Sequence, residues 1–271
     1  MTNGPLLNSN SETDIPPRIN KTFNGPPSRV TGFFCGRVAA VGIDEQGEKH
    51  VLGLREGATE NAAACRALLS DLVERGLNPE RSWLVVIDGA KALHKAVVEV
   101  FGAKALIQRC REHKKRNVSE ALPERLRGAM RTAMNQAYAT RDAKRARRLL
   151  DNLARRLEDQ HPGAAASLRE GLDETLTVMR LGLPENLERV LSSTNLIENL
   201  FSRVREIGRR VRRWQSGTMV LRWSAAGVLE AERSFRKIVG YRAMPMLVAA
   251  LRAHDAKINR ATTVDDAEKA A

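Results

Sequence analysis

The sequence predicts an α/β fold: a mixed sheet flanked by helices and interrupted by an all-helical insertion. Three observations predict it. Trp83-Leu84-Val85-Val86-Ile87 is apolar without alternation, the pattern of a strand buried on both faces. From about 32 to 121, strand patterns lead into a strand–helix alternation, which builds a layered sheet. From about 122 to 190 the chain becomes charged and alanine-rich with a helical period and no convincing strand.

Taken in order, residues 1–29 carry Pro5, Pro16, Pro17, Pro26 and Pro27 among Asn, Ser and Thr, and are expected to form a disordered lead-in. Phe33-Phe34-Cys35, Arg37–Ile43 and Lys49–Leu54 read as strands, the last two joined by the polar turn Asp44-Glu45-Gln46-Gly47. Thr59 is expected to cap a helix with Glu60 in its first turn and Ala63, Leu68, Leu69, Leu72 and Val73 on its buried face; Gly76 ends it. After the strand Trp83–Ile87 come a helix from Ala90 to Phe101, a short strand Lys104–Ile107, and a helix starting near Cys110. Pro162, Gly163, Gly182 and Pro184 break the helical insertion. Ser192–Asn195 caps a helix running to about Arg213, Ser216-Gly217 turns the chain, and a long helix covers Met219 to about Val239. Met244–His254 reads as a closing helix, and the tail past Arg260 as frayed. The expected organisation is therefore lead-in (1–29), first part of the sheet domain (30–121), helical insertion (122–190), completing C-terminal helices (191–256) and flexible tail (257–271).

The 271 residues carry a formal charge of +13 and a pI near 10.3. That length suits one large domain or two small ones. The charge favours a polyanionic partner, since neutralising phosphates releases counterions. No apolar run is long enough to span a membrane, and the start lacks a basic-then-apolar export signal. Cys35, Cys65 and Cys110 make no disulfide framework, which fits a reducing cytoplasm.

Two separated acids are the first candidates for chemistry. Asp88 ends the buried strand and precedes Gly89, at the carboxyl end where ligands and metals collect in α/β sheets. It equally fits an aspartate capping the helix from Ala90. Glu198, three residues after Asn195, has the form of a capping box, which explains a glutamate there without any chemistry. Cys110 and His113 share a helix face, but two ligands fall short of the four of a structural zinc site. His50, His94, His161 and His254 are scattered, so no zinc site is expected. His113 and Lys114 are expected near a substrate, or Cys110 is simply buried.

The strongest local signal for nucleic acid is a run of arginines: Arg203, Arg205, Arg209, Arg210, Arg212 and Arg213. Arg205, Arg209 and Arg212 fall on one helical face, and each guanidinium can take a phosphate. Trp214 follows, to stack or pack, while Trp223 and Phe235 read as core.

Several stretches together resemble the bacterial mutator-type insertion-sequence transposases. They are Leu52–Asn61, Val86-Ile87-Asp88-Gly89-Ala90-Lys91-Ala92-Leu93, Gln108–Lys114, Ser193-Thr194-Asn195-Leu196-Ile197-Glu198-Asn199 and Arg213-Trp214-Gln215-Ser216-Gly217. Leu221-Arg222-Trp223, Glu232–Arg236 and Gly240-Tyr241 continue the resemblance, which spans about 32 to 254 in order. It implies an RNase H-like catalytic fold with a helical insertion before the catalytic glutamate. Asp88 matches the second aspartate of an Asp-Asp-Glu site, Glu198 the glutamate, and Cys110 with His113 the family's Cys-x-x-His pattern. These carboxylates would hold two Mg²⁺ or Mn²⁺ ions, with Lys91, His113 and the arginines on DNA. The implied partners are double-stranded DNA at element ends and target, and further copies of the chain when active. The implied setting is the bacterial cytoplasm, on DNA.

The sequence departs from that pattern twice. The family's first aspartate precedes a Gly-Phe-Phe-like strand, and here Thr31 stands before Gly32-Phe33-Phe34. Asp44 is the nearest later acid. The family also carries a DNA-binding region upstream, where this chain has the proline-rich lead-in. The expectation is a truncated transposase copy with impaired catalysis. The alternatives are a DNA-binding remnant that cannot cut, or a nuclease acting on RNA–DNA hybrids.

Overall fold

A computed structural model describes residues 32–34, 37–56, 61–209 and 217–269. Thr31, Cys35, Thr59, Glu60, Arg210, Arg212, Arg213, Trp214 and the lead-in lie outside the described residues. The chain is mixed α/β and mostly helical. Strands β1 (Gly32–Phe34), β2 (Arg37–Ile43) and β3 (Lys49–Glu56) form an antiparallel sheet in the order β1-β2-β3. Strands β4 (Trp83–Ile87) and β5 (Ala105–Arg109) pair in parallel as a second ladder. Among the described residues the strands thus make two ladders, where the sequence suggests one mixed sheet. The short β1 hydrogen-bonds only to β2 there.

The ladders share their apolar layers. Val38 and Ala40 of β2 cluster with Val85 and Ile87 of β4, beneath helices α1 (Ala62–Glu74) and α2 (Lys91–Phe101). On the other face, Ile43 joins Leu84 and Val86 against Leu187 and Leu191 of α8 (Glu185–Leu191) and Leu247 of α11 (Met244–Lys269). All five β4 residues are buried, as an unalternating apolar run requires. Asn61 caps α1, its Oδ1 accepting from Ala63 N at 2.9 Å and Ala64 N at 3.4 Å.

Helices α3 (Arg111–Glu120), α4 (Glu124–Ala139), α5 (Ala143–Leu157) and α6 (Pro162–Arg169) build their own core, with Met134, Leu150, Leu168 and Leu176 at its centre. A 3-10 turn at Asp173–Leu176 and the short α7 (Thr177–Arg180) then return the chain to β5. The Gln108 side chain, fully buried, donates to Thr175 O at 3.0 Å and accepts from Val178 N at 2.8 Å. Thr177 Oγ1 donates to Ile107 O at 2.7 Å.

Helix α9 (Asn195–Gly208) packs Ile197, Leu200, Phe201 and Val204 onto Ala39 and Val41 of β2 and Val228 of α10 (Gly217–Arg233). This spacing is one helical stripe, and each such side chain contributes roughly 1.5–3 kcal/mol when fully buried. Four expectations change here. Gly217 opens α10 instead of sitting in a turn, and α10 stops at Arg233. Helix α11 runs to Lys269, well past the expected fraying, through Ala-, Lys- and Glu-containing sequence with no Gly or Pro to stop it. Trp223, expected in the core, is 43% exposed because α10 turns it away from the stripe that meets α9. No helix among the described residues is long and apolar enough to cross a membrane.

Candidate active site

The site begins where β4 ends. Asp88 is half-buried, and its Oδ1 accepts from Ala90 N at 3.0 Å, an Asx turn into α2. Gly89 has φ of 105°, a conformation side chains rarely adopt, so the reversal after the aspartate requires glycine. Asp88 therefore does shape the helix entrance, with one oxygen. Lys91, the first residue of α2, is exposed at the same end.

Parallel pairing sets Arg109 beside Ile87, and Cys110 N then donates to Ile87 O at 2.7 Å. Cys110 caps α3 and is fully buried. From there the chain grips the start of α9. Arg111 N donates to Ser192 O at 2.9 Å, and Thr194 N donates to Cys110 Sγ at 3.3 Å. Thr194 Oγ1 donates to Glu198 Oε1 at 3.0 Å and lies 3.2 Å from His113 Nδ1. His113 Nδ1 is itself 3.6 Å from Glu198 Oε1. The end of β4, the N-terminus of α3 and the first turn of α9 are thus tied into one junction, with Glu198 in its wall.

The capping-box explanation of Glu198 gives way here. Asn195 is the first helical residue and Thr194 the N-cap, so the glutamate bonds the Thr194 hydroxyl and does not reciprocate with Asn195. Thr194 is a residue that sequence reasoning misses. Its role depends on Cys110, far away in the chain, and no local pattern announces it.

The electrostatics converge on His113. A hydrogen bond with Cys110 is the largest influence raising its pKa, and the charges of Cys110, Glu198 and Asp88 add to it against the opposing effect of burial. Asp88 and Glu198 thus both act on the same imidazole. Burial pushes the Cys110 thiol up, but hydrogen bonds with His113 and Thr194 outweigh it, and the net pKa is lowered. Cys110, His113 and Glu198 offer ligand atoms that all lie within 4.8 Å of one another.

Other expected residues are placed differently. Lys114, expected near the substrate, is buried and donates from Nζ to Ser167 O at 2.6 Å and Glu170 O at 2.5 Å, binding α3 to α6. Burial and the nearby Arg109 charge lower its pKa to about 8. Arg109 pairs with Glu174, whose other oxygen lies 2.8 Å from His94 Nε2. Buried Arg111 pairs with Glu188 at 2.9 Å and lies 4.9 Å from the Tyr138 ring. Asp44 closes its own hairpin: Oδ1 accepts from Gln46 N at 3.0 Å and Glu48 N at 2.8 Å, and Oδ2 meets His50 Nε2 at 2.9 Å.

Arg203 and Arg205 on α9 and Arg209 at its C-cap are exposed. Arg203 Nη1 donates to Ser234 Oγ at 2.8 Å, and its charge, after burial, helps lower the pKa of Lys49. Lys49 Nζ sits 5.0 Å from the Phe235 ring, within a pocket also lined by Arg233, Arg236 and Lys237. Basic side chains thus continue beyond α9 to β3 and the stretch after α10, interspersed with Glu48, which pairs with Lys237 at 3.7 Å, and Glu232. The sequence hints at this only through isolated lysines and arginines.

Comparison with known proteins matches residues 30–236 to the profile described as Transposase, Mutator family. The transposase for insertion sequence element IST2 of Acidithiobacillus ferrooxidans is 26% identical over 246 residues, covering 91% of this chain and 81% of that relative. A probable insertion-sequence transposase of Corynebacterium diphtheriae is 28% identical over 212 residues, covering 77% of this chain and 60% of its own length. The transposase for IS6120 of Mycolicibacterium smegmatis is 30% identical over 165 residues, covering 61% of this chain and 50% of its own length. With the profile spanning most of the chain, from the strands through the Asp88 turn and the α9 junction into the stretch beyond α10, this chain belongs to the mutator family of transposases.

Proposed function

We propose that this chain acts on double-stranded DNA as an insertion-sequence transposase of the RNase H-like class, with Asp88 and Glu198 as its metal-holding carboxylates. One observation carries the reading: Asp88, directly after β4, and Glu198, in the first turn of α9, are far apart in sequence, yet Cys110 hydrogen-bonds the end of β4 through Ile87 O and the start of α9 through Thr194 N. The RNase H-like reading is supported by β2 and β4 sharing apolar layers on both faces. Contact with DNA is supported by exposed Arg203, Arg205 and Arg209 and the neighbouring Lys49, Arg236 and Lys237.

The donor chemistry fits Mg²⁺ or Mn²⁺ in part. Asp88 and Glu198 offer the hard oxygen ligands such ions take. Bound there, the ions would activate a water or 3′-hydroxyl and stabilise the leaving oxygen. Two carboxylates bring two negative charges against the four of an ion pair, and the sequence has neutral Thr31 where the family has a third acid. Asp44 makes no good substitute, since both its oxygens serve the hairpin. We therefore read the chain as a DNA-binding transposase with weak strand cleavage. Thr31 is also the observation that favours a second reading, a remnant that binds DNA without cutting it.

The test is nicking of element-end DNA by the full chain with Mg²⁺ or Mn²⁺. Weak cleavage, abolished by Asp88→Asn or Glu198→Gln and raised by Thr31→Asp, is expected. Cleavage untouched by both carboxylate substitutions would overturn the site. No cleavage by Thr31→Asp, with DNA binding retained, would establish the remnant.

A further inference from the structure

The sequence offers Cys110 and His113 as only two soft donors, and the fold supplies a third. Glu198 reaches the pair from α9, and the three ligand atoms lie within 4.8 Å of one another. Around a tetrahedral Zn²⁺ with bonds of about 2.0–2.3 Å, neighbouring donors sit roughly 3.3–3.8 Å apart. His113 Nδ1 and Glu198 Oε1 are already 3.6 Å apart. A small side-chain rotation would close the rest.

We propose that Cys110, His113 and Glu198 form a three-donor site for a borderline-soft divalent cation such as Zn²⁺ or Co²⁺, with its fourth position open toward solvent. The donor set selects against Mg²⁺, which takes oxygen ligands and demands an octahedron. One neighbour favours a thiolate against the cost of burial. Cys110 is fully buried, and the Thr194 amide donates to its sulfur at 3.3 Å, the outer-shell support that metal-bound ligands carry. The Thr194 hydroxyl now spans His113 and Glu198 and would swing aside for the ion. Charge also balances: one thiolate and one carboxylate neutralise a divalent ion. Glu198 is 41% exposed at its side chain, which leaves an entry path.

The site stands on donor geometry alone. Its consequence rests on the strand-cleavage reading: a cation held by Cys110 and His113 would engage Glu198 and deny it to Mg²⁺. Soft metal ions would then inhibit the chain at concentrations far below the Mg²⁺ that supports it.

The binding test needs no cleavage. The metal-free full chain is titrated with Co²⁺, whose thiolate complexes absorb strongly in the near ultraviolet. Saturation by a single equivalent, reversal by Zn²⁺ and indifference to excess Mg²⁺ are expected. The band should vanish in Cys110→Ser, persist in the Cys35→Ser and Cys65→Ala variants, and appear only at roughly tenfold higher Co²⁺ in Glu198→Gln. Glu198→Gln, at a half-exposed position, keeps the test valid if Cys110→Ser fails to fold. Absence of a thiolate band, or a band and affinity unchanged by Glu198→Gln, would overturn the proposal. Failure of cleavage would leave the binding result untouched.

Discussion

Among the described residues, two places gather a carboxylate, a histidine and a third donor, and they differ in how far they reach. At the β2–β3 hairpin, Asp44, Glu48 and His50 come from a few neighbouring residues of one turn. At the junction of β4, α3 and α9, Cys110, His113 and Glu198 are joined across the whole helical insertion. The first cluster is fully explained by its turn, since every bond of Asp44 closes the hairpin. The second ties together elements that lie far apart in the chain. A cluster assembled over long range is the better candidate for a site; one assembled within a turn is explained by the turn.

Four measurements would break or sharpen that contrast. The largest effect is expected at the buried pair that fastens the start of α3 beside α8. Glu188→Ala would leave Arg111 as an uncompensated buried charge and should cost about 3–5 kcal/mol in chemical denaturation. A cost below about 1 kcal/mol, on the scale of a surface pair, would show that the junction is not held together this way.

Next come the junction carboxylates. Glu198→Gln or Asp88→Asn should lower DNA cleavage in a Thr31→Asp background by roughly a hundredfold or more, about 2.7 kcal/mol of barrier. Asp44→Ala should leave cleavage per folded molecule unchanged. If Asp44→Ala removed cleavage and Glu198→Gln did not, the contrast would be inverted.

The hairpin cluster should answer in stability instead. Asp44→Ala loses the acceptor for two backbone amides and the His50 partner, and should lower unfolding free energy by about 1–3 kcal/mol. An unchanged denaturation midpoint would remove the structural explanation of that cluster.

The smallest effect per residue belongs to the basic face. Replacing Arg203, Arg205 and Arg209 by alanine should weaken duplex DNA binding for all sequences. Its salt dependence should flatten by about one unit for each phosphate no longer neutralised. An unaltered slope in filter-binding or anisotropy titrations would show that DNA tracks another face.

The sequence reveals most where one residue's neighbours decide its state. The limits of β2 and β4 are legible in their apolar runs, and the buried face of α9 in its apolar stripe, although α9 ends at Gly208 and not near Arg213. It reveals less where the partner is distant. Lys114 sits next to a candidate histidine, yet its ammonium is spent on carbonyls of α6 and the residue after it, which no local pattern foretells. Trp223 looks like core by type, but which way a helix turns depends on what it packs against. Glu198 looks like a capping-box partner only if Asn195 is the cap. The helix begins at Asn195, and that one-residue shift changes which side chain does the capping. Asp88 fits two roles in sequence, and the fold shows the first of them, a turn closed by one carboxylate oxygen.

The docking of Gln108 and Thr177 has one more consequence. Among the described residues β5 pairs only with β4, so its outer side is a sheet edge, and such an edge recruits other strands. Here the returning segment after the helical block lies against it, bonding Gln108 and the Ile107 carbonyl. The insertion thus covers that edge as well as separating α3 from Glu198. A shortened chain that joined α3 directly to α9 would keep both candidate carboxylates. It would also bare an apolar strand edge, and its failure would be aggregation before it was ever loss of catalysis.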